Sequence, residues 1–198
     1  MKYKNLVYTS AIVMATLLTF SVGKAEAQTT ANGPYYAWPS WDQQLPASTR
    51  FIVLSNWKDT NFPSGGAAVL DRETGLVWER LPNLGSSITW NGALATCYDK
   101  KVGNRKGWRL PTLQELASLV DADPTNTSSP RLPPGHPFIF LVSLSEEKNV
   151  WSATTRADLT NFAYAVIING GSITAREKAV STINFVWCVR GGQGLDAQ

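Results

Sequence analysis

The sequence predicts an α+β domain with two helices and a twisted antiparallel sheet. Three observations lead to this fold class: strand-like runs come first, two capped helix patterns follow, and further strand-like runs come after a long loop rich in Pro and Ser. Elements segregated in this order are typical of antiparallel sheets. A parallel nucleotide-binding sheet would instead alternate strands with helices, so that fold is not predicted.

The first strand-like elements lie between residues 50 and 79. Residues 50–54 form a short run of β-branched and aromatic side chains. Residues 68–71 and 76–79 flank a turn over residues 72–75, which predicts a β-hairpin.

Two helices with recognisable N-terminal caps follow. Thr89 can cap a helix whose apolar residues recur at i, i+3, i+4 and i+7, namely Trp90, Ala93, Leu94 and Cys97. This spacing places Cys97 on the buried face. Thr112 and Glu115 form a capping box before a second apolar stripe, which consists of Leu113, Leu116, Ala117 and Val120.

The remaining part of the domain is a long loop and a set of strands. Within the loop over residues 121–149, the apolar island 138–142 is expected to fill part of the core. Strand-like runs then follow at residues 150–155, 162–168, 172–175 and 184–190, with a hairpin turn at 169–171.

Residues 1–27 have the pattern of a bacterial signal peptide. Two early lysines precede an almost uncharged run over residues 6–22, and Ala25-Glu26-Ala27 gives the small-x-small pattern that a signal peptidase reads. We expect cleavage before Gln28 and an extracytoplasmic mature chain, periplasmic or secreted, with no membrane span. An uncleaved anchor is the alternative, but the run is shorter than the roughly 20 residues that cross a bilayer.

The mature chain is predicted to comprise a leader at 28–49, one domain at 50–192 and a tail at 193–198. Removal of the signal peptide takes away three lysines and one glutamate, so the formal charge falls from +3 to +1. A nearly neutral chain offers no global field for nucleic acid, which we therefore do not expect as a partner. Any polyanion site would have to be a local patch.

Cys97 and Cys188 are the only cysteines, and an exported protein meets an oxidising compartment. A structural disulfide is therefore expected. Free thiols or a redox role are the alternative, although the chain contains no Cys-x-x-Cys motif.

Neither a metal site nor a catalytic set is predicted. His136 is the only histidine, which excludes a two-histidine metal site within one chain, and we expect it to bond to local backbone. Asp121, Asp123 and Asn126 could hold calcium, but EF-hand spacing is absent and turn roles are favoured. No cofactor is expected.

A cluster of cations is the strongest candidate for a binding site. Lys100, Lys101, Arg105 and Lys106 crowd into the connection between the two helices, and they form a candidate polyanion site. A solvated loop with cations near a helix C-terminus is the alternative. Nearby Arg109, directly before the second helix, is expected to form structural hydrogen bonds.

The sequence contains eight tryptophans, and most are expected to pack in the core. The four predicted core tryptophans are Trp78, Trp108, Trp151 and Trp187. Trp57 and Tyr164 are the candidates for a ligand-facing surface.

Four ordered motifs carry a resemblance to a known family. They are DRETGLVW at residues 71–78, VGNRKGWRLPTLQEL at 102–116, WSATT at 151–155 and FVWCVRGG at 185–192. Over residues 51–192 the chain resembles the Lcl C-terminal domain family, which is named from a collagen-like bacterial adhesin. The resemblance implies a C-type-lectin-like fold in which a cysteine on the first helix bonds one on the last strand. Cys97 and Cys188 occupy those places.

The resemblance also implies a function. It suggests an exported, non-enzymatic binding module with an adhesin-like role, whose partner is an anionic or neutral polysaccharide at the cell envelope. The alternative is a structural or assembly module that binds another envelope protein. The calcium-site triplets of C-type lectins are absent, so calcium-dependent sugar binding is not implied. Enzymes of this fold use reactive cysteines, and here both cysteines are assigned to the disulfide.

Overall fold

The computed structural model describes residues 45–182 and 184–191, which fold into two β-sheets and three short helices. The helices are α1 (Ala47–Arg50), α2 (Trp90–Asp99) and α3 (Leu113–Ala117). The strands are β1 (Phe51–Val53), β2 (Ala68–Asp71), β3 (Val77–Glu79), β4 (Trp108–Arg109), β5 (Asn149–Thr155), β6 (Phe162–Ile167), β7 (Ser172–Glu177), β8 (Asn184–Phe185) and β9 (Val189–Arg190). The α+β class is confirmed. The predicted signal peptide, residues 28–44 of the leader and the tail lie outside the described ranges.

The first sheet has the strand order β1-β2-β3-β9-β4, with all pairs antiparallel. The predicted hairpin is confirmed: Val69 pairs with Trp78, and the Gly75 N–H donates to the Asp71 carbonyl at 2.8 Å. Gly75 closes this turn with a φ of 69°, a conformation that glycine adopts without steric cost.

The short helix α1 precedes this sheet. Ala47 is buried in the core, so residues 47–49, which the sequence assigns to the leader, pack with the domain. A single helical turn has too little periodicity to be recognised in sequence.

Both predicted helix caps are confirmed. The Thr89 hydroxyl accepts from the Gly92 N–H at 3.3 Å, and α2 buries the side chain of Cys97. At α3, the Thr112 hydroxyl accepts from the Glu115 N–H at 3.2 Å, and the Glu115 carboxylate accepts from the Thr112 N–H at 2.8 Å. This reciprocal pair is the predicted capping box. The helix itself ends at Ala117, before Val120.

The second sheet has the order β7-β6-β5-β8, in which β5 and β8 are parallel. The sequence predicts one antiparallel sheet, so the second sheet and its parallel pair are a correction. The predicted last strand, residues 184–190, is divided: β8 joins the second sheet and β9 joins the first. Residues 184–189 are all buried, whereas a strand with one solvated face alternates between buried and exposed. This burial reflects a segment that crosses from one sheet to the other.

The core is rich in tryptophan, as predicted: Trp78, Trp108, Trp151 and Trp187 are at most 2% exposed. The long loop contributes Phe138, whose ring lies edge-on to Trp187 at 4.9 Å between centroids. The predicted plugging of the core by this loop is therefore confirmed.

A disulfide joins Cys97 on α2 to Cys188 in the crossing segment, with the two Cα atoms 5.5 Å apart. The predicted bridge is confirmed, and both cysteines are fully buried. None of the helices in the described ranges has the length and hydropathy of a transmembrane segment.

Candidate functional site

The connection that follows α2 is fixed against the loop after β1. The Asp59 carboxylate accepts from the Gly103 N–H at 2.9 Å, and the Asn104 side-chain amide donates to the Lys58 carbonyl at 2.8 Å. Gly103 has a φ of 59°, and a Cβ there would lie 2.7 Å from the Cβ of Trp57. Only glycine allows this close approach. The cation-rich segment is therefore held in one conformation.

Trp57 forms a platform for two arginines. Its half-buried ring lies edge-on to Trp108 at 6.2 Å, and the guanidinium carbons of Arg105 and Arg190 lie 4.2 and 5.6 Å from its centroid. Cation–π contacts of this kind restrict a guanidinium without consuming its N–H donors. Trp57, predicted as a ligand-facing aromatic, thus lies beneath cations in this structure.

The two guanidinium groups are also anchored by backbone carbonyls. Arg105 donates to the Gly103 carbonyl at 2.9 Å, and Arg190 donates to the Lys106 carbonyl at 2.9 Å. Within residues 45–182 and 184–191, neither arginine nor the exposed Lys106 forms a salt bridge. We call Arg105, Lys106 and Arg190 the cationic face.

Arg190 is a member of this face that sequence reasoning missed. It lies 84 residues from Lys106 along the chain, and it was assigned to a strand. The antiparallel pairing of Arg190 with Trp108 brings it beside the connection. The one signal in the sequence is that Arg190 is the last residue of the predicted strand 184–190, where a side chain can reach the edge of the sheet.

Lys100 is separated from the other cations of the predicted patch. Its ammonium forms an ion pair with the carboxylate of Glu79 on β3, and both side chains are largely buried. Burial raises the pKa of Glu79, and the ammonium of Lys100 acts in the opposite direction. The charge of Lys100 is therefore largely compensated within the domain.

A cleft of about 480 Å³ opens beside this ion pair. Glu79 and Lys100 are its buried charged groups, and the exposed Lys101 also lines it. Its apolar side includes Phe62 and Leu141, and Leu141 is 78% exposed. The four predicted patch cations thus divide between two places: Lys100 and Lys101 line the cleft, whereas Arg105 and Lys106 belong to the cationic face.

Arg109 has the structural role predicted for it. Its guanidinium forms two hydrogen bonds with the Glu115 carboxylate, at 2.7 and 2.5 Å, and a third with the Gly191 carbonyl at 2.7 Å. These contacts tie the start of α3 to the residue after β9.

Tyr164 lies on β6 in the second sheet, where it pairs with Ala175 of β7. It is half-buried, and its backbone carbonyl accepts from the Ser152 hydroxyl at 2.8 Å. No ring contact joins Tyr164 to Trp57 within the described ranges, so the structure does not bring the two predicted ligand-facing aromatics together.

The oxygen-rich stretch after α3 forms turns, as favoured from sequence. Asp121 accepts from the Asp123 N–H at 3.1 Å, and Asp123 accepts from both the N–H and the hydroxyl of Thr125. The hydrogen bonds from Thr125 lower the pKa of Asp123. Across the described ranges, no group of three or more His, Cys, Asp or Glu side chains is arranged to hold a metal ion.

The imidazole ring of His136 lies among aromatic side chains. Its ring packs against Phe138 and Phe140, at 5.9 and 6.0 Å between centroids, and its buried Nδ1 forms no hydrogen bond. The backbone N–H of His136 donates to the Pro133 carbonyl at 3.1 Å, so the residue is bonded to local backbone. Burial lowers the pKa of this imidazole, which favours its neutral form.

Comparison with known protein families gives a match over most of the described domain. The family described as Lcl C-terminal domain matches residues 67–190, which include α2, α3, the cationic face and both cysteines. No curated protein and no solved structure matches the chain significantly.

Proposed function

Because this chain belongs to the Lcl C-terminal domain family, we propose that it is an exported, non-enzymatic binding module with an adhesin-like role, and that its ligand is an anionic glycan. The family suggests the adhesin-like role. The disulfide is consistent with an extracytoplasmic location, since such bonds persist in oxidising compartments. A C-type-lectin-like fold is part of the proposal, supported by the bridge from α2 to the segment before the last strand.

The cationic face is the observation that carries the choice of ligand. Arg105 and Arg190 are oriented by Trp57 and by backbone carbonyls, and Lys106 adds a third charge beside them. A planar guanidinium can form two parallel hydrogen bonds with a sulfate or carboxylate. Since these cations have no salt bridge within the described ranges, an anionic ligand does not have to displace a carboxylate of the protein.

The test is retention of the purified protein on a sulfated polysaccharide resin. The combined variant Arg105→Glu and Lys106→Glu should lose retention, because it replaces two attractive charges with two repulsive ones on a small face. The matched control is Arg72→Glu with Arg156→Glu, which changes the net charge equally at two sites away from the cationic face, the exposed Arg72 and the half-buried Arg156, which is paired with Asp158. The control should elute near the wild type.

Salt provides a second criterion. The Debye length falls from about 10 Å at 0.1 M to about 3 Å at 1 M, so wild-type retention should disappear over that range. If the reversed variant remains folded and binds as well as the wild type, the cationic face is an ordinary solvated surface. Recognition of another envelope protein then becomes the better proposal, and the exposed Tyr98, at 79%, is a candidate contact.

A further inference from the structure

We propose that the cleft beside Glu79 and Lys100 binds one neutral sugar residue through two neighbouring hydroxyl groups. This inference rests on the glycan-binding function proposed above and adds a second, uncharged subsite to it. The cleft volume, about 480 Å³, lies within the roughly 300–1,000 Å³ that is usual for small-molecule sites.

The ion pair has unused hydrogen-bonding capacity on both partners. Lys100 bonds one Glu79 oxygen, Oε1, whereas the other, Oε2, has only the Cys188 N–H at 3.5 Å, the outer limit of a hydrogen bond. The lysine ammonium carries three donors, and within the described ranges its side-chain partner is Glu79. A weakly bonded acceptor, Glu79 Oε2, and further donors of the Lys100 ammonium therefore lie next to each other.

Two adjacent hydroxyls match this arrangement. One can donate to the Glu79 carboxylate while its neighbour accepts from the Lys100 ammonium, because a hydroxyl is both a donor and an acceptor. Burial has raised the pKa of Glu79, and a hydrogen bond from a ligand would stabilise its ionised form.

The charge balance of the cleft favours a neutral ligand. Asp59 and Glu79 supply two negative groups, and Lys100 and Lys101 supply two positive ones. A ligand anion would meet the buried carboxylate of Glu79, and a ligand cation would meet Lys100. In both cases the cleft has no excess of opposite charge that would compensate the charge of the ligand.

The apolar side of the cleft suits the C–H face of a sugar ring. Phe62 and Val142 are partly buried there, and Leu141 projects into solvent at 78% exposure. An apolar wall opposite a few convergent polar groups is the usual composition of a small-molecule site.

The test is an NMR titration of the ¹⁵N-labelled protein with the neutral methyl glycosides of glucose, galactose, mannose and fucose. These probes present different arrangements of adjacent hydroxyls. At least one should cause saturable shifts of the Phe62 and Asn83 amides, since both residues line the cleft.

A matched pair of glycine variants locates the binding. A Cβ on Gly85 would lie 3.5 Å from Val142, in ordinary contact within the cleft, so Gly85→Phe should fill it and abolish the shifts. Gly170 lies in the exposed turn between β6 and β7, where a Cβ would approach nothing closer than 3.8 Å. Gly170→Phe should therefore bind like the wild type.

Lys100→Met is the second variant, and it applies even if Gly85→Phe does not fold. It should weaken the affinity by about tenfold, as expected for the loss of a hydrogen bond from a charged donor. The inference is overturned if none of the four glycosides gives saturable shifts, or if the shifts persist unchanged in folded Gly85→Phe or Lys100→Met. Retention of Gly85→Phe on the sulfated resin should equal that of the wild type, which separates this result from a failure of the anionic-glycan proposal.

Discussion

Replacing the buried Arg50 by methionine should strongly destabilise the domain. Arg50 is the last residue of α1, directly before β1, and its side chain is fully buried. Its Nε and Nη2 donate to the two oxygens of Asp71 at 3.0 and 2.8 Å, and Nη2 also donates to the Ser118 carbonyl at 2.8 Å. Glu73 approaches Nε at 3.1 Å. One cation thus compensates two buried carboxylates.

Methionine keeps the apolar stem of the side chain but removes the charge and every donor. Breaking a buried ion pair by removing one partner costs about 3–5 kcal/mol, because the remaining charge stays buried. For a domain of about 150 residues, each kcal/mol lowers the melting temperature by roughly 3 °C, so we expect a loss of about 10–15 °C. Arg50→Lys should recover only part of this, since an ammonium cannot form the paired hydrogen bonds.

Urea unfolding followed by tryptophan fluorescence measures this free energy. Arg72→Met is the matched control, because Arg72 is exposed and its guanidinium makes a 3.4 Å contact with the Thr49 carbonyl. It should change stability by less than about 0.5 kcal/mol. If Arg50→Met unfolds within about 1 kcal/mol of the wild type, the buried carboxylates of Asp71 and Glu73 do not depend on Arg50 for charge compensation.

Two further exchanges test the bridge and the buried carboxylate. Cys97→Ala opens a loop whose ends are 91 residues apart and should cost about 4–5 kcal/mol by the chain-entropy estimate; an unchanged melting temperature would contradict this. Glu79 has a pKa raised by burial above its ordinary 4.5, so its stabilising contribution is complete below that pH and is lost as pH rises through the folded value. Glu79→Gln should therefore gain stability relative to the wild type as urea unfolding is repeated at increasing pH from 4 to 8, and a difference independent of pH would refute the assignment.

Much of the secondary structure could be predicted from sequence because its signals are local. The capping box of Thr112 and Glu115 and the turn that ends at Gly75 each depend on residues within one or two turns of chain. The disulfide could be predicted because two cysteines in a chain expected to be exported leave one pairing. The core positions of the tryptophans followed from their size and apolar character.

The elements that were missed depend on distant partners. Arg50 looks like the start of a strand, and nothing near it shows that Asp71 and Ser118 will surround its guanidinium. The division of residues 184–190 between two sheets is likewise invisible to a pattern that treats each run separately. The sequence sign of this division was an apolar run without alternation at residues 185–189. Such a run is equally typical of a single strand covered on both faces.

The sequence predicted where the candidate site lies, and the structure showed which of its cations lie close together. Four cations close in sequence predicted one patch, but side-chain direction placed Lys100 beside Glu79 and Arg105 over Trp57. Arg190 entered the cationic face through strand pairing. The closeness of these cations in the sequence therefore identified the region of the site, but not which cations lie together in it.

The position of the disulfide also determines how this domain would respond to mechanical load. A chain pulled at both ends transmits tension through the shortest covalent route, and the Cys97–Cys188 bond joins two cysteines that are 91 positions apart in the sequence. At about 3.3–3.6 Å per residue, roughly 300 Å of chain is thereby withheld from extension. The withheld segment contains Arg105 and Lys106 of the cationic face, the whole second sheet from β5 to β8, and the long loop that plugs the core. Stretching would extend the first hairpin and α1, while the disulfide kept the ends of the segment that carries Arg105 and Lys106 together.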